Sequence, residues 1–560
     1  MADEEAQTDN KCRLTCKFIG FYWREIFLVI WPFICMIVFC LGFEPKYRCL
    51  FVVLVMAGYW VTECMPLYVT GMIPIVMMPL FNIQPTGQVC MNYLTGTNVM
   101  FLASLFIATS IEHSGLHIRI ALYTIKGIGC SPRKLHFGLT LVTMLISMWL
   151  INSAATAMMC PIIHAVLSEL EAQGIGNVYL PKDPVHPDDP PRPTKITMAY
   201  FLAAAYASTI GGIGTLVGTG TNLTYKGLYE KRFPDGDQVE FVSWLLYNFP
   251  GMILMTILTW LCLQIQLMGM FRTKSPEYEI IRQGAANQEM ALGVIKQKLI
   301  ELGPMSWHEI GVGINFLLIV FLWFFRKPQF IPGWGDLYPE KMVTDSTPAI
   351  LVTILLIAIP ASCSCVYFCS KDHGKRPKQR GQGLVTWKVI QTKIPWGLLF
   401  LLGGGFAVAD AGTKSGMSDY LGKKLSVMKS LNKMLVLGIT SFAASWATEL
   451  TSNVAICSII ISVLNEMAPA MRVHPILFAY PAALNCSFAF LMPVGTPPNA
   501  IVADQANIKT VEMIKAGLPI KLLTWLIVLL TFPTYGQLFY PMFTTPDWIF
   551  SASNSTTPAD

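Results

Sequence analysis

The chain has 560 residues, 53% of them hydrophobic and 13% charged, with a mean hydropathy of +0.51 and a formal net charge of +6. That balance excludes an ordinary soluble domain and places the chain in a membrane. The small positive excess sits in loops, which fits the bias that orients membrane proteins and excludes nucleic acid as a partner.

In chain order, the polar start with Glu4, Glu5 and Asp9 argues against a cleaved signal peptide. Uncharged runs at Ile26–Phe43, Val242–Phe271, Ile310–Phe325, Ser346–Ser370, Pro475–Ala503 and Leu522–Pro546 approach the length, about 20 residues, that crosses a hydrocarbon core. Between them lie basic loops: Arg13, Lys17 and Arg24; Arg119, Lys126, Arg133 and Lys134; and Lys371, Lys375, Arg376, Lys378, Arg380 and Lys388. Placing these in the cytoplasm, with eleven full spans, gives a cytoplasmic N-terminus and an extracellular C-terminus. The sequon at Asn554 agrees, because it can be glycosylated only outside. Pro181–Lys195 is too rich in proline for helix or sheet, and Arg272–Glu309 reads as a loop with a short surface helix. His113–Gly127 and Lys414–Ser430 are amphipathic, begin with Ser-Gly breaks, and read as segments along the membrane surface. The 15 cysteines are scattered without paired zinc spacing, and Ser362–Cys369 reads as helix packing.

The most informative pattern is a duplication. Ser147 precedes Asn152 as Thr448 precedes Asn453, and both members of each pair are 301 residues apart (448 − 147, 453 − 152). Gly115 and Gly416 keep that offset, and Phe106 and Phe406 differ from it by one. Each copy then reaches a Gly/Thr-rich break, Gly218–Asn222 or Gly495–Asn499. Duplicated apolar halves with matched, interrupted segments are the signature of a transporter whose site lies between repeats. The apolar stretches flanking Asn152 and Asn453 read as re-entrant hairpins with polar tips. Irregular backbone at membrane depth must be buried in protein or line a watery cavity.

The tips offer small hydroxyl and amide groups: Ser147, Asn152, Ser153 and Thr156 in one copy, and Thr448, Thr451, Ser452 and Asn453 in the other. The breaks add Thr215, Gly218, Thr219, Gly220, Thr221 and Asn222, then Gly495, Thr496 and Asn499. Oxygens of this kind suit a hard cation such as sodium, while helix N-termini attract an anion. No Lys or Arg lies within the tips. Glu63, Glu112, Asp410 and Glu449 are acids in or beside apolar runs and therefore candidates for function, for example as proton carriers. His308-Glu309 lacks the second histidine of a metal motif. No nucleophile–base or metal constellation accompanies the tips, which argues against an enzyme; a channel is the remaining rival.

Three segments carry a family resemblance: Ser487–Val502 (SFAFLMPVGTPPNAIV), Trp60–Ile75 (WVTECMPLYVTGMIPI) and Leu401–Gly416 (LLGGGFAVADAGTKSG). They resemble the divalent anion/sodium symporter family and its sodium–carboxylate branch. GCSPRKLHFGL, TAMMCPII, TKIT and YASTIGG are similar to the insect "I'm not dead yet" carboxylate transporters.

The resemblance implies an all-α polytopic protein with about eleven transmembrane helices, two re-entrant hairpins in inverted repeats, and scaffold and transport domains moving as an elevator. It implies a homodimer in the plasma membrane among lipid, no enzyme activity and no cofactor other than coupling sodium ions. Its cargo would be succinate, malate, fumarate and citrate. Residues 1–25 are then a cytoplasmic tail; 26–97 and 246–392 are scaffold, with cytoplasmic loops at 272–309 and 371–393. Residues 98–245 and 393–516 are the two transport units, with tips near 147–156 and 448–456 and broken helices at 214–222 and 493–499. Residues 517–546 are the last span and 547–560 the extracellular tail. Substrate would meet Asn152, Ser153, Thr219, Ser452, Asn453, Val454, Thr496 and Pro497. Sodium would meet Ser147, Asn152, Thr215, Gly218, Asn222, Thr448, Asn453 and Asn499. The family's Ser-Asn-Thr tip reads Ser452-Asn453-Val454 in the second copy and Ile151-Asn152-Ser153 in the first. Loss of the leading hydroxyl at Ile151, with the cation-independent transport known in the insect branch, leads to an expectation of weak or absent sodium coupling. A sodium-coupled symporter is the alternative.

Overall fold

The computed structural model describes residues 2–129, 131–172, 177–181, 191–286, 288–328, 330–339, 341–362, 381–425, 430–540, 542–546 and 548–551. Asn554, the cluster 363–369, most of the richest basic loop (371–380) and the centre of the proline-rich linker (182–190) lie outside them. Among the described residues the fold is all helical, apart from the isolated bridges Tyr179–Pro193 and Pro360–Gly383. Helix is the open-ended solution for backbone in hydrocarbon, since it satisfies every N–H and C=O within the segment.

The duplication is visible helix by helix. The first copy runs α1 (Gly96–Ser114), α2 (Leu116–Ile128), α3 (Pro132–Ser147), α4 (Asn152–Ala172), α5 (Lys195–Gly211), α6 (Gly220–Arg232) and α7 (Phe241–Gln266). The second runs α8 (Gly397–Lys414), α9 (Met417–Leu425), α10 (Lys433–Ala447), α11 (Asn453–Met471), α12 (Ile476–Cys486), α13 (Pro497–Ala506) and α14 (Thr510–Thr531). The starts of α1 to α4 and of α8 to α11 are 301 residues apart (397 − 96), whereas α6 and α13 start 277 apart (497 − 220). Most of the difference of 24 falls between α4 and α5, whose counterpart α12 starts 281 residues on (476 − 195), and where the first copy alone carries the proline-rich linker.

The break between α1 and α2 recurs between α8 and α9. Gly115 has φ +76° and Gly416 φ +73°, a left-handed conformation that glycine adopts without a Cβ penalty. In both copies the preceding serine hydroxyl, Ser114 or Ser415, accepts the N–H of the second residue on at 3.3 Å. The segments read as amphipathic are thus helices α2 and α9. Arg272–Glu309 holds two helices, Pro276–Ala286 and Gln288–Glu301, where the sequence suggests one.

Six helices among the described residues are long and apolar enough to cross a membrane. The pair Trp387–Lys393 and Gly397–Lys414, bent by 64°, makes up to seven. The shortfall from eleven has a physical cause. Leu67–Leu80, Ser346–Ala358, Lys433–Ala447 and Ile476–Cys486 are apolar but only 10–17 residues long. Three of the four are half-helices: α10 and α12 stop at a tip or break, and Leu67–Leu80 is itself interrupted at Gly71. Large apolar side chains such as Phe21, Ile37, Leu80, Leu317, Ile354 and Leu530 are exposed, as residues facing lipid would be.

The copies interlock. α1 packs on Ser346–Ala358, which precedes the second copy, and α8 packs on Leu67–Thr70, which precedes the first. At the centre, α6 packs on α11 and α13 packs on α4, so the short helix after each break meets the other copy's hairpin.

Candidate substrate and cation site at the two hairpin tips

Each tip is closed by the same hydrogen bonds. In the first, Ser147 Oγ donates towards Asn152 Oδ1 and lies equally close, 2.8 Å, to the Ser208 carbonyl. In the second, Thr448 Oγ1 lies 2.6 Å from both Asn453 Oδ1 and the Cys486 carbonyl. A hydroxyl at the end of the first arm thereby fixes the asparagine that starts the second arm, and ties both to the last turn of the helix before the break. This is the five-residue spacing seen in the sequence. Ser147 and Thr448 are fully buried, Asn152 is buried and Asn453 half-buried.

The breaks match as closely. Asn222 Nδ2 donates to the carbonyls of Gly212 (3.0 Å) and Thr215 (2.7 Å); Asn499 Nδ2 donates to those of Ala489 and Met492, both at 3.1 Å. These partners are the carbonyls freed where α5 and α12 unwind. Both asparagines are fully buried, and in both the Oδ1 atom has no hydrogen-bond partner. Buried amide oxygens are rarely left orphaned, and two at equivalent positions form matched acceptors with nothing to accept. Gly212 approaches Asn152 so closely that a Cβ there would lie 2.5 Å from Oδ1, so no larger residue fits.

The remaining predicted residues fall around these two frames. Thr215 Oγ1 donates to the Met148 carbonyl at 2.5 Å, and Gly218 is buried beside it. Thr219 and Thr496 are the N-caps of α6 and α13; Ser452 is the N-cap of α11. Ser153 and Ser452 are half-buried, Val454 and Thr496 buried, and Pro497 exposed. The copies meet here: a Cβ on Gly220 would stand 3.2 Å from Val454 Cγ2, and Cys457 Sγ lies 3.5 Å from the Thr221 carbonyl. The N-terminal ends of α6 and α11 therefore meet, and α13 packs on α4; these ends present the positive poles of their dipoles, with free N–H groups at α4, α6 and α11 but not at α13, which opens on Pro497 and Pro498.

The acids have defined partners. Glu63 Oε1 accepts from Thr451 Oγ1 at 3.1 Å, Glu112 pairs with Lys393 at 2.5 Å, and Asp410 accepts from Gln84, Asn92 and Lys414. Glu309 caps its own helix through Ser306 and pairs with Arg119 at 2.7 Å, while His308 lies against the Leu384 carbonyl. Glu449 is 2% exposed and accepts the N–H groups of Phe490, Leu491 and Met492. It also pairs with Lys521 of α14 at 2.6 Å. Lys521 was not legible as a site residue: it lies 68 residues beyond Asn453 (521 − 453), in an apolar helix with no local signal. Ser208, which meets Thr156 at 2.7 Å, was missed for the same reason. A polar cleft of about 880 Å³ lined by Lys226, Glu240, Arg326 and Asp345 lies apart from the tips.

Comparison with known proteins places this arrangement. The Drosophila melanogaster "Protein I'm not dead yet" is 43% identical, over 97% of this chain and 94% of its own length. The rat "Na(+)/citrate cotransporter" is 34% identical over 90% of this chain and 92% of its own length. The human "Na(+)/dicarboxylate cotransporter 3" is 32% identical over 94% of each. Among solved structures, the YdaH transporter of Alcanivorax borkumensis matches with a TM-score of 0.52 at 13% identity, covering 81% of this chain and 88% of that one, a likeness of fold alone. The family model described as the sodium:sulfate symporter transmembrane region matches residues 21–542. The chain, with its duplicated hairpins and breaks, therefore belongs to the sodium:sulfate symporter family of membrane transporters and is not an enzyme.

Proposed function

We propose that this protein is a secondary transporter of citric-acid-cycle di- and tricarboxylates, succinate, malate, fumarate and citrate among them, and that sodium drives it. The observation that carries this reading is the pair of matched tips, each presenting an asparagine at a helix N-terminus beside an orphaned, buried amide oxygen. Asn152 and Asn453, with Ser153, Thr219, Ser452, Val454, Thr496 and Pro497, hold the carboxylates through amide and hydroxyl donors and helix ends. Neutral donors of this kind bind an anion loosely enough to release it. Sodium is cargo at the oxygens of Ser147, Asn152, Thr215, Gly218 and Asn222, and of Thr448, Asn453 and Asn499, a hard-oxygen set that suits it.

The departure at Ile151 argues for weak coupling, and the names of the rat and human relatives, both sodium cotransporters, argue for sodium. We adopt the coupled reading, because the other oxygens of the first tip remain and are arranged as in the second. In this reading the chain works as a plasma-membrane homodimer, N-terminus inside, with residues 98–245 and 393–516 moving as an elevator against the rest. Labelled citrate or succinate counterflow in proteoliposomes tests it, with sodium replaced by choline in a parallel arm. Saturable counterflow that falls in choline is expected. Saturable counterflow indifferent to the cation would restore the uncoupled reading, and unsaturable flux would show a channel.

A further inference from the structure

The two tips are alike in hydrogen bonds and unlike in charge. Lys521 is 1% exposed, and its ammonium group lies 2.6 Å from Glu449 Oε1, 2.7 Å from the Ser445 carbonyl and 3.0 Å from the Phe488 carbonyl. An ammonium has three N–H donors, so these oxygens use all of them. Trp446 covers the group, with Nζ 5.6 Å from its ring centroid. Ser445 belongs to the first arm of the hairpin, Glu449 to its tip and Phe488 to the unwound stretch. Glu449 extends the tie through the N–H groups of Phe490 (2.9 Å), Leu491 (3.0 Å) and Met492 (3.3 Å). One buried positive charge thus holds the second arm-tip-break unit together.

The first copy has no such charge. The 301 offset carries Met148 to Glu449, and the 269 offset between the starts of α7 and α14 (510 − 241) carries Met252 to Lys521. Both methionines lie against Gly214, where a Cβ would stand 2.6 Å from Met252 Sδ and 3.0 Å from Met148 Cγ, so apolar packing takes on one side the place that the ion pair takes on the other.

We propose that Lys521 is a tethered cation. Its ammonium fills a cage of one carboxylate and two carbonyl oxygens, the donor set that would otherwise take a free alkali cation, and keeps the second hairpin closed on its break without one. The cation demand of the proposed transport site is thereby divided: the second copy carries one positive charge covalently, and both copies take sodium from solution at their asparagine oxygens. The transport arm of the test rests on the carboxylate reading; the binding arm does not.

The binding arm uses the purified full-length protein. Thermal unfolding midpoints of wild type and Lys521→Ala are measured in lithium, sodium, potassium or choline chloride at fixed ionic strength. Emptying the cage lowers the midpoint in choline. An alkali cation, potassium being close in size to ammonium, restores much of the loss, because a ligand that binds only the folded state stabilises it. The recovery exceeds any shift in the wild type and vanishes in Lys521→Ala/Glu449→Gln. Equal cation responses in Lys521→Ala and wild type overturn the proposal. If Lys521→Ala is recovered folded only when prepared in an alkali cation, the proposal stands; if it is recovered in neither alkali cation nor choline, while Lys521→Met/Glu449→Gln folds and transports normally, the pair is structural and the proposal falls. In the transport arm, labelled citrate uptake into proteoliposomes becomes more steeply dependent on the alkali cation in Lys521→Ala. Failure of the wild type to take up carboxylate at all would remove the transport reading and leave the unfolding result intact.

Discussion

The first and second hairpins reach one geometry by different means. In the first, the tip and break are joined by neutral groups: Ser147 to the Ser208 carbonyl and Thr215 to the Met148 carbonyl. In the second, Thr448 and Asn499 repeat the neutral frame, and Glu449 with Lys521 adds a buried ion pair. The hydrogen-bonded frame is therefore what duplication preserved, because it satisfies buried carbonyls that unwinding freed. The charge is an addition to one side. A buried pair need not stabilise relative to an apolar replacement, but breaking it leaves an uncompensated charge.

The largest effect expected from this contrast is on folding. Glu449→Gln leaves the Lys521 charge without its counter-ion and replaces one of the two oxygens that accept from Phe490, Leu491 and Met492 with an NH2 donor, at a cost of about 3–5 kcal/mol. Met148→Leu, at the matching place in the first copy, costs less than about 1.5 kcal/mol as a near volume-conserving change. Unfolding midpoints and surface expression of the two variants measure the difference; equal losses would mean the ion pair is not what distinguishes the tips.

Next come the residues the copies share. Asn152→Ala and Asn453→Ala each remove an amide that closes its tip, a loss of about 1–3 kcal/mol, or roughly 10- to 100-fold in affinity. Both variants are expected to reach the cell surface and to lose labelled succinate uptake. Near-normal uptake in one of them would show that only the other copy binds cargo.

A smaller effect is expected at Ile151, where the first tip lacks the hydroxyl that Ser452 supplies in the second. Ile151→Ser adds an oxygen ligand and should lower the sodium concentration for half-maximal citrate uptake by up to about 10-fold, the weight of one modest polar contact. An unchanged sodium curve would place the first cation site away from this position.

Transport itself should not change in the last test, which concerns the proposed inversion of the copies. Asn554→Gln should remove a glycan and increase gel mobility if the tail is outside, while Pro181–Lys195 resists protease added to intact cells. External cleavage of that loop would break the opposed orientation of the two halves.

Much of this was legible in the chain, for reasons that are local. Composition alone dictates a membrane protein, because no soluble surface can be built from so apolar a sequence. The hydroxyl-to-asparagine spacing was readable because the hydrogen bond it makes, Ser147 to Asn152 or Thr448 to Asn453, spans only five residues. The Gly/Thr/Asn breaks were readable because unwinding demands those residues wherever the chain ends up. Tertiary structure alone decided which break faces which tip. That α6 lies on α11 and α13 on α4 depends on how two half-molecules interlock, which no spacing within either half encodes. It also decided the fate of Lys521. An isolated lysine in an apolar helix has no meaning until the fold brings Glu449 and two freed carbonyls to its ammonium group, since burying a charge is tolerable only where partners are already in place.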